Sequence, residues 1–301
     1  MQNTKKRNRV YESRGEPVFQ GILIAIFILL GVTFLYPYWH VAVTSLTSPD
    51  YASAAGFKLW PREFSTDAYV HMFHASYLWK GYANTLKVVL LGWSCSLLGV
   101  VLSSYPLSKK DLPFRNLFTA MIVTTMFISG GMIPTYLLVN NTLHLRNSYF
   151  AIILPACVSS SHVIIARNYF MTLPNELEEA ATIDGANSVQ VLMRVILPLS
   201  SPILATISLW LIVSNWNAYF NCLLYITDPN KYVLQVVLRR IILTDSKEMT
   251  SVAETIANQT DTDIVTLRAA SIMLATIPII CVYPFLQKYF VKGVLIGSLK
   301  G

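Results

Sequence analysis

Apolar residues run through this chain in long blocks, separated by short segments that hold the charge. Six blocks contain no Asp, Glu, Lys or Arg: Val18 to Pro49, Val88 to Ser108, Asn116 to Leu145, Asn147 to Ala166, Val195 to Thr227 and Ala269 to Gln287. A helix crosses a bilayer with about 20 largely apolar residues, and each block is long enough. The pattern predicts an all-α, polytopic membrane protein with six transmembrane helices. An even number of spans puts both termini on one side.

Composition agrees with that class. Of 301 residues, 54% are hydrophobic and only 13% charged, which is too apolar for an ordinary soluble domain. Orientation follows from Lys and Arg. With the N-terminus inside, the inner segments hold thirteen basic and seven acidic residues, and the inner basics cluster beside span ends; the outer loops hold ten basic and nine acidic. The net charge of +7 is thus explained by topology and anionic headgroups, and nucleic acid is not an expected partner. The expected organisation is a basic cytoplasmic start at 1–17, a first helix at 18–40, an extracellular loop at 41–87, a membrane core at 88–287 and a cytoplasmic tail at 288–301. Within the core, 168–198 forms an inner loop and 228–268 an outer one. The basic start before Val18 resembles a signal peptide, but the apolar run to Trp39 is longer than such a segment has, so it is expected to stay as a span.

Polar residues inside the blocks mark where a path could run. The third block carries Ser129, Gly130, Gly131, Met132, Ile133, Pro134, Thr135 and Tyr136 in order. Two glycines and a proline weaken a helix, and this suits either irregular backbone beside a cavity or close packing through small residues. The fourth holds Pro155 and the run Ser159, Ser160, Ser161, His162; a histidine there faces the bundle interior or a cavity. In the fifth, Trp210, Ser214, Asn217 and Asn221 fall on one face of a continuous helix and Asn215 and Tyr219 on another, with Trp216 between. Amides beside aromatic rings suit a polyol or carbohydrate; hydrogen bonding between helices is the alternative. Outside the spans, Tyr232 to Ile242 has the pattern of an amphipathic helix lying on the membrane surface, and Asp245 to Asp263 that of a polar loop. The aromatic residues of the first outer loop fit anchoring at the headgroup interface or contact with an external partner.

One segment states a mechanism. Glu179 to Pro198 reads EAATIDGANSVQVLMRVILP. Pro174 opens a short helix, and Glu176, Glu178 and Glu179 fall in its first turns, where carboxylates suit the positive end of the dipole. Asp184 and Gly185 supply the stop, and Asn187 or Ser188 caps a second helix that ends at Pro198. The product is a polar helix, a tight turn and an amphipathic helix, held between two spans. At Glu179, Ala180, Ala181, Asp184, Gly185, Ala186, Leu197 and Pro198 the chain resembles the EAA loop of ABC importer permeases, with Leu192 where many relatives have phenylalanine. The C-terminal YPFLQKYFVKGVLIGSLKG and the SGGMIPTY run resemble the carbohydrate branch of that family, maltose-transporter-like, and within it the second permease of oligosaccharide importers.

The resemblance implies a type I ABC importer permease fold in a bacterial cell membrane. It implies a second permease subunit, two cytoplasmic ATPase subunits and an extracellular solute-binding protein as partners, besides membrane lipid. The nine residues just named, from Glu179 to Pro198, would couple to the ATPase. Ser129, Met132, Tyr136, Ser159, His162, Ser214, Asn215, Trp216, Asn217, Tyr219 and Asn221 would line the substrate path. No phosphate-binding GxxxxGK[ST] run is present, so ATP and Mg belong to the partner ATPase and no cofactor to this chain. Cys95, Cys157, Cys222 and Cys281 show no metal-ligand spacing, and neither a metal nor a catalytic set is expected. Three other readings stay open: an ABC importer permease for a non-sugar solute, an ATP-independent transporter or channel, and an intramembrane hydrolase built on Ser129 and His162.

Overall fold

The computed structural model describes residues 16–54, 56–242 and 264–298. The expected helices are there, and three of them are bent. Among the described residues, three helices are each long and apolar enough to cross a membrane: α1 (Glu16–Ser45), α4 (Ser76–Ser108) and α15 (Ile264–Ser298). Between α1 and α4 lie two short helices, α2 (Pro49–Ala52) and α3 (Asp67–His74). Three further candidate spans are broken pairs. α5 (Arg115–Phe127) turns through 111° into α6 (Met132–Leu137), which a π-helical turn prolongs to Thr142. α7 (Tyr149–Ile153) and its 3-10 extension meet α8 (Ser160–Phe170) at 53°. The third pair is a helical segment from Ser188 to Leu199 and α12 (Ser201–Trp216), set at 82°.

The central rod is α4, against which α8, α12 and the inserted helix α14 (Leu234–Ile242) pack. Its buried positions include Gly81, Asn84, Thr85, Gly92, Ser96 and Ser104. In lipid there is little hydrophobic drive between helices, so association depends on close backbones and buried hydrogen bonds, and small residues supply both. Asn84 donates from Nδ2 to the carbonyls of Asn230 (2.7 Å) and Tyr232 (3.1 Å), and its Oδ1 accepts from the Tyr149 hydroxyl (2.8 Å). Thr85 Oγ1 accepts the amide of Leu234 at 2.8 Å. Two polar side chains of one rod thus fix the entry to α14 and the start of α7.

Several expectations change. The second span starts earlier than Val88, because the helix continues from Ser76 and takes Lys80 and Lys87 with it. The fifth does not present one continuous face. α12 stops at Trp216, Asn217 and Ala218 leave the helix, and α13 (Tyr219–Tyr225) starts anew, so Asn221 is out of register with Trp210, Ser214 and Asn217. The 232–242 segment is helical from Leu234 but does not lie on a surface. Leu234, Val236, Leu238 and Ile241 are buried against α4, α13 and α15, because its apolar stripe finds a protein partner there. The polar stretch from Asp245 to Asp263 lies outside the described residues, as do the basic start before Glu16 and the last three residues. The aromatic outer loop folds back on α1: Trp39 Nε1 donates to the Leu59 carbonyl at 3.0 Å and the Tyr36 and Phe57 rings lie 4.6 Å apart, leaving Trp60 and Phe64 exposed.

Of the glycines among the described residues, Gly92 leaves the least room for a side chain. A methyl group there would lie 2.7 Å from Cγ and 2.9 Å from Nδ2 of Asn215, whose amide also donates to Leu211 O at 2.8 Å. Gly92→Ala is therefore expected to destabilise the protein by about 1–3 kcal/mol. Thermal unfolding of the purified protein in detergent should show the loss, and adding Asn215→Ala should recover most of it. An unchanged melting temperature for Gly92→Ala would mean that α4 and α12 do not meet this way.

Candidate functional site

The knob between α8 and α12 is built from local signals. α9 (Glu176–Ile183) has Glu176, Glu178 and Glu179 in its first turn. It ends in a Schellman motif: the Gly185 amide donates to Thr182 O (3.0 Å) and the Ala186 amide to Ala181 O (2.9 Å). Gly185 has φ +85°, where a side chain is strained, with open space around it. Asn187 then caps α10 (Ser188–Val191) with a reciprocal box. Its Oδ1 accepts from the Gln190 amide and Gln190 Oε1 accepts from the Asn187 amide, both at 2.9 Å. A π-helical turn, Leu192–Ile196, joins α10 to α11 (Leu197–Leu199), one residue beyond the expected end at Pro198.

The two sides of the knob differ. Ala181, Ala186, Leu192 and Leu197 belong to one apolar cluster with Val100, Val163, Ile207 and Leu211, so the knob is seated on α4, α8 and α12. Leu192 is buried there. Glu178 pairs with Lys109, whose ammonium lies 4.5 Å from the Tyr105 ring centroid. Arg115 and Arg167 both donate from Nε to the Leu107 carbonyl, at 3.1 and 3.0 Å, closing the end of α4 beside the knob. Facing away are Glu179, Ala180, Asp184 and Pro198, all exposed, together with Ile183 (86% exposed), Val189 and Met193. A rim of carboxylates around exposed large apolar side chains is a surface suited to a protein partner.

The other predicted residues divide. His162 stacks on Trp210, with ring centroids 5.5 Å apart and planes 17° from parallel, which ties α8 to α12. Ser214, Asn217 and Tyr219 follow Trp210 upward and are exposed; Asn217 also ends α12 by donating to Val213 O at 3.0 Å. Trp216 and Asn215 face the other way. Trp216 is buried among Leu78, Val89, Leu234 and Leu238, and Asn215 lies against Gly92. Ser129 and Met132 are exposed at the break between α5 and α6, where Gly131 has φ +86°. Ser129 Oγ accepts from the Gly131 amide at 3.3 Å, a local bond that serves the break and not His162. The Tyr136 ring stacks on Tyr225 at 5.9 Å, joining α6 to α13. Ser159 precedes α8, and Asn221 is half-buried on α13. Sequence reasoning missed Asn84 and Asn147 as structural groups and Arg239, whose guanidinium lies 5.5 Å from the Tyr219 ring centroid. An amide or cation in an otherwise apolar neighbourhood was the available signal.

Known proteins share this arrangement. The family described as "Binding-protein-dependent transport system inner membrane component" matches residues 95–296. The polygalacturonan/rhamnogalacturonan transport system permease protein YtcP of Bacillus subtilis is 37% identical over 94% of this chain and 99% of its own length. The arabinooligosaccharides transport system permease protein AraQ of Halalkalibacterium halodurans is 26% identical over 95% of this chain and 98% of its own. Among solved structures, one chain of a bacterial ABC transporter involved in the import of the acidic polysaccharide alginate superposes with a TM-score of 0.87 at 32% identity, covering 92% of this chain and 98% of that one.

The capping box makes a local forecast. Asn187→Ala should cost about 1 kcal/mol at the start of α10. Hydrogen exchange should show faster labelling at Ser188 to Gln190 with α4 unchanged; equal protection in both proteins would remove the box as the element that holds the knob.

Proposed function

The chain belongs to the family of binding-protein-dependent transport system inner membrane components, and on that premise we propose that it is the permease subunit of an ATP-driven importer of oligosaccharides. The end-to-end similarity to permeases named for sugar-chain transport carries the proposal. Partners follow from the same premise: a second permease, two ATPase subunits that bind ATP and Mg, and an extracellular solute-binding protein.

The ATPase has a matching surface on the knob. The exposed carboxylates and apolar side chains of α9 and α10 form the ATPase contact, with Glu179, Ala180, Asp184 and Gly185 at its centre. The buried side of the knob, through Ala181, Ala186, Leu192 and Leu197, passes the ATPase movement to α4, α8 and α12. The strip from the His162–Trp210 pair through Ser214 and Asn217 to Tyr219 contributes to the substrate path, with Ser129, Met132 and Tyr136 beside it. Both termini and the knob lie on the cytoplasmic side, consistent with the clustering of Lys and Arg near those span ends. A channel or secondary transporter has no use for a seated knob with an exposed docking face.

Gly185→Val tests the coupling role, since a β-branched residue at φ +85° opposes the Schellman turn by about 1–3 kcal/mol. The variant should insert and keep its second permease, yet lose most ATP-dependent oligosaccharide uptake and the ATPase on affinity purification. Full uptake by this variant would end the coupling proposal.

A further inference from the structure

The loop after α1 returns along the helix it has just left. Val18 to Tyr36 is about 27 Å of α1 at 1.5 Å per residue, close to the hydrocarbon thickness of a bilayer, and Tyr36, Tyr38 and Trp39 follow it as an aromatic girdle. No residue from 18 to 39 is buried by the rest of the chain. Two contacts fix the loop to the girdle. The Phe57 ring lies 4.6 Å from the Tyr36 ring, and the Leu59 carbonyl accepts from Trp39 Nε1 at 3.0 Å. Residues 57–59 are thus level with the girdle, while Phe57 (84% exposed), Leu59 and Trp60 keep their apolar surface uncovered. Side chains of this kind at that level meet headgroups and the first carbons of the acyl chains.

At the same place the loop encloses a cavity of about 200 Å³, with room for several waters and so for a phosphodiester. Its wall includes Tyr51, Trp60, Lys58 and Arg62 but no carboxylate; the neighbouring Asp50 and Glu63 are not part of it. Backbone bonds hold the frame. The Ser48 amide donates to the Glu63 carbonyl at 2.9 Å and the Ser65 amide to the Leu46 carbonyl at 3.0 Å, and the Lys58 ammonium donates to the Ala52 carbonyl at the end of α2. That last bond uses one of three ammonium donors, and Arg62 has no carboxylate or hydrogen-bond partner among the described residues. Two cations on one cavity without a counter-charge suit an anion, and phosphate oxygens lie in the layer where this loop sits. A free anion would have no use for the exposed apolar rim, whereas a lipid meets both features at once.

We propose that this cavity binds the headgroup of an anionic phospholipid, with Lys58 and Arg62 on its phosphate and Phe57, Leu59 and Trp60 against its glycerol and first acyl carbons. A zwitterionic headgroup suits it less, because its own ammonium would be repelled by the two cations. The site is independent of the imported solute, so its failure leaves the transport reading untouched.

The test uses the complete transporter in nanodiscs of phosphatidylcholine, with or without added phosphatidylglycerol, and follows hydrogen exchange over residues 56–62. Exchange there should be about ten-fold slower with phosphatidylglycerol, the worth of one charge-assisted hydrogen bond. Lys58→Gln with Arg62→Gln should abolish the difference, and Lys58→Arg with Arg62→Lys should keep it, with α4 exchanging alike in all as the control for folding. Equal exchange of the wild type in the two nanodiscs, as when the second permease covers the loop, would overturn the site, and this comparison needs no variant. A lipid difference that survives in the double Gln variant would overturn it as well. So would equal protection by inorganic phosphate in phosphatidylcholine nanodiscs, since the cavity would then take a free anion and not a lipid.

Discussion

A helix broken inside a membrane frees backbone N–H and C=O groups that lipid cannot satisfy, and this constraint governs the architecture. Helix ends and the turns between spans face the same constraint, and there the chain meets it with a few polar side chains. Asn147, itself left-handed at φ 61°, donates its amide to Tyr225 O and accepts the amide of Asp228 on Oδ1 at 3.2 Å, while Lys231 donates to its carbonyl. Asn84 receives the turn before α14 in the same way. At the opposite end of α4, two arginine side chains close the Leu107 carbonyl. α4 keeps its helix through all this, and the broken spans are fastened to it.

That division sorts the polar residues by role. Asn84, Asn147 and Asn215 are consumed by backbone or by close packing, so their amides serve the fold. Asn217 is intermediate: its carboxamide ends α12, yet the residue remains exposed beside Ser214. Tyr219 is left exposed, and its hydroxyl has no partner among the described residues. The residues free to meet a ligand are thus those the breaks expose without using.

The knob was legible residue by residue because its determinants are local. Carboxylates in the first turn of α9, Gly185 at its left-handed stop and a cap at Asn187 or Ser188 are each set within a single turn, and the structure keeps all three, choosing Asn187 and adding the return bond from Gln190. The apolar blocks were legible as membrane segments for the same reason. The bends were not, since hydropathy measures how apolar a block is and says nothing of its direction; only the glycines and Pro155 hinted at the sites. α14 shows a further limit. Its amphipathic pattern was plain, but periodicity does not say whether the apolar stripe meets headgroups or protein. The partners that decide it, Gly81, Thr85 and Val89, are about 150 positions away in sequence.

Coupling in this frame requires no long wire. The cluster that receives Ala181, Ala186, Leu192 and Leu197 extends to Val163 on α8 and Leu211 on α12. The residues immediately before these two, His162 and Trp210, form the stacked pair at the base of the polar strip. Under the proposed coupling, a displacement of the knob would reach the strip through one continuous packed cluster, and close packing makes such a cluster shift between arrangements in place of absorbing the movement. Gly92 extends the same logic upward. It lets Asn215 lie flat against α4, so α12 cannot rotate without lifting that amide from the rod, and the break at Asn217 is where such a rotation would be taken up before it reached Tyr219.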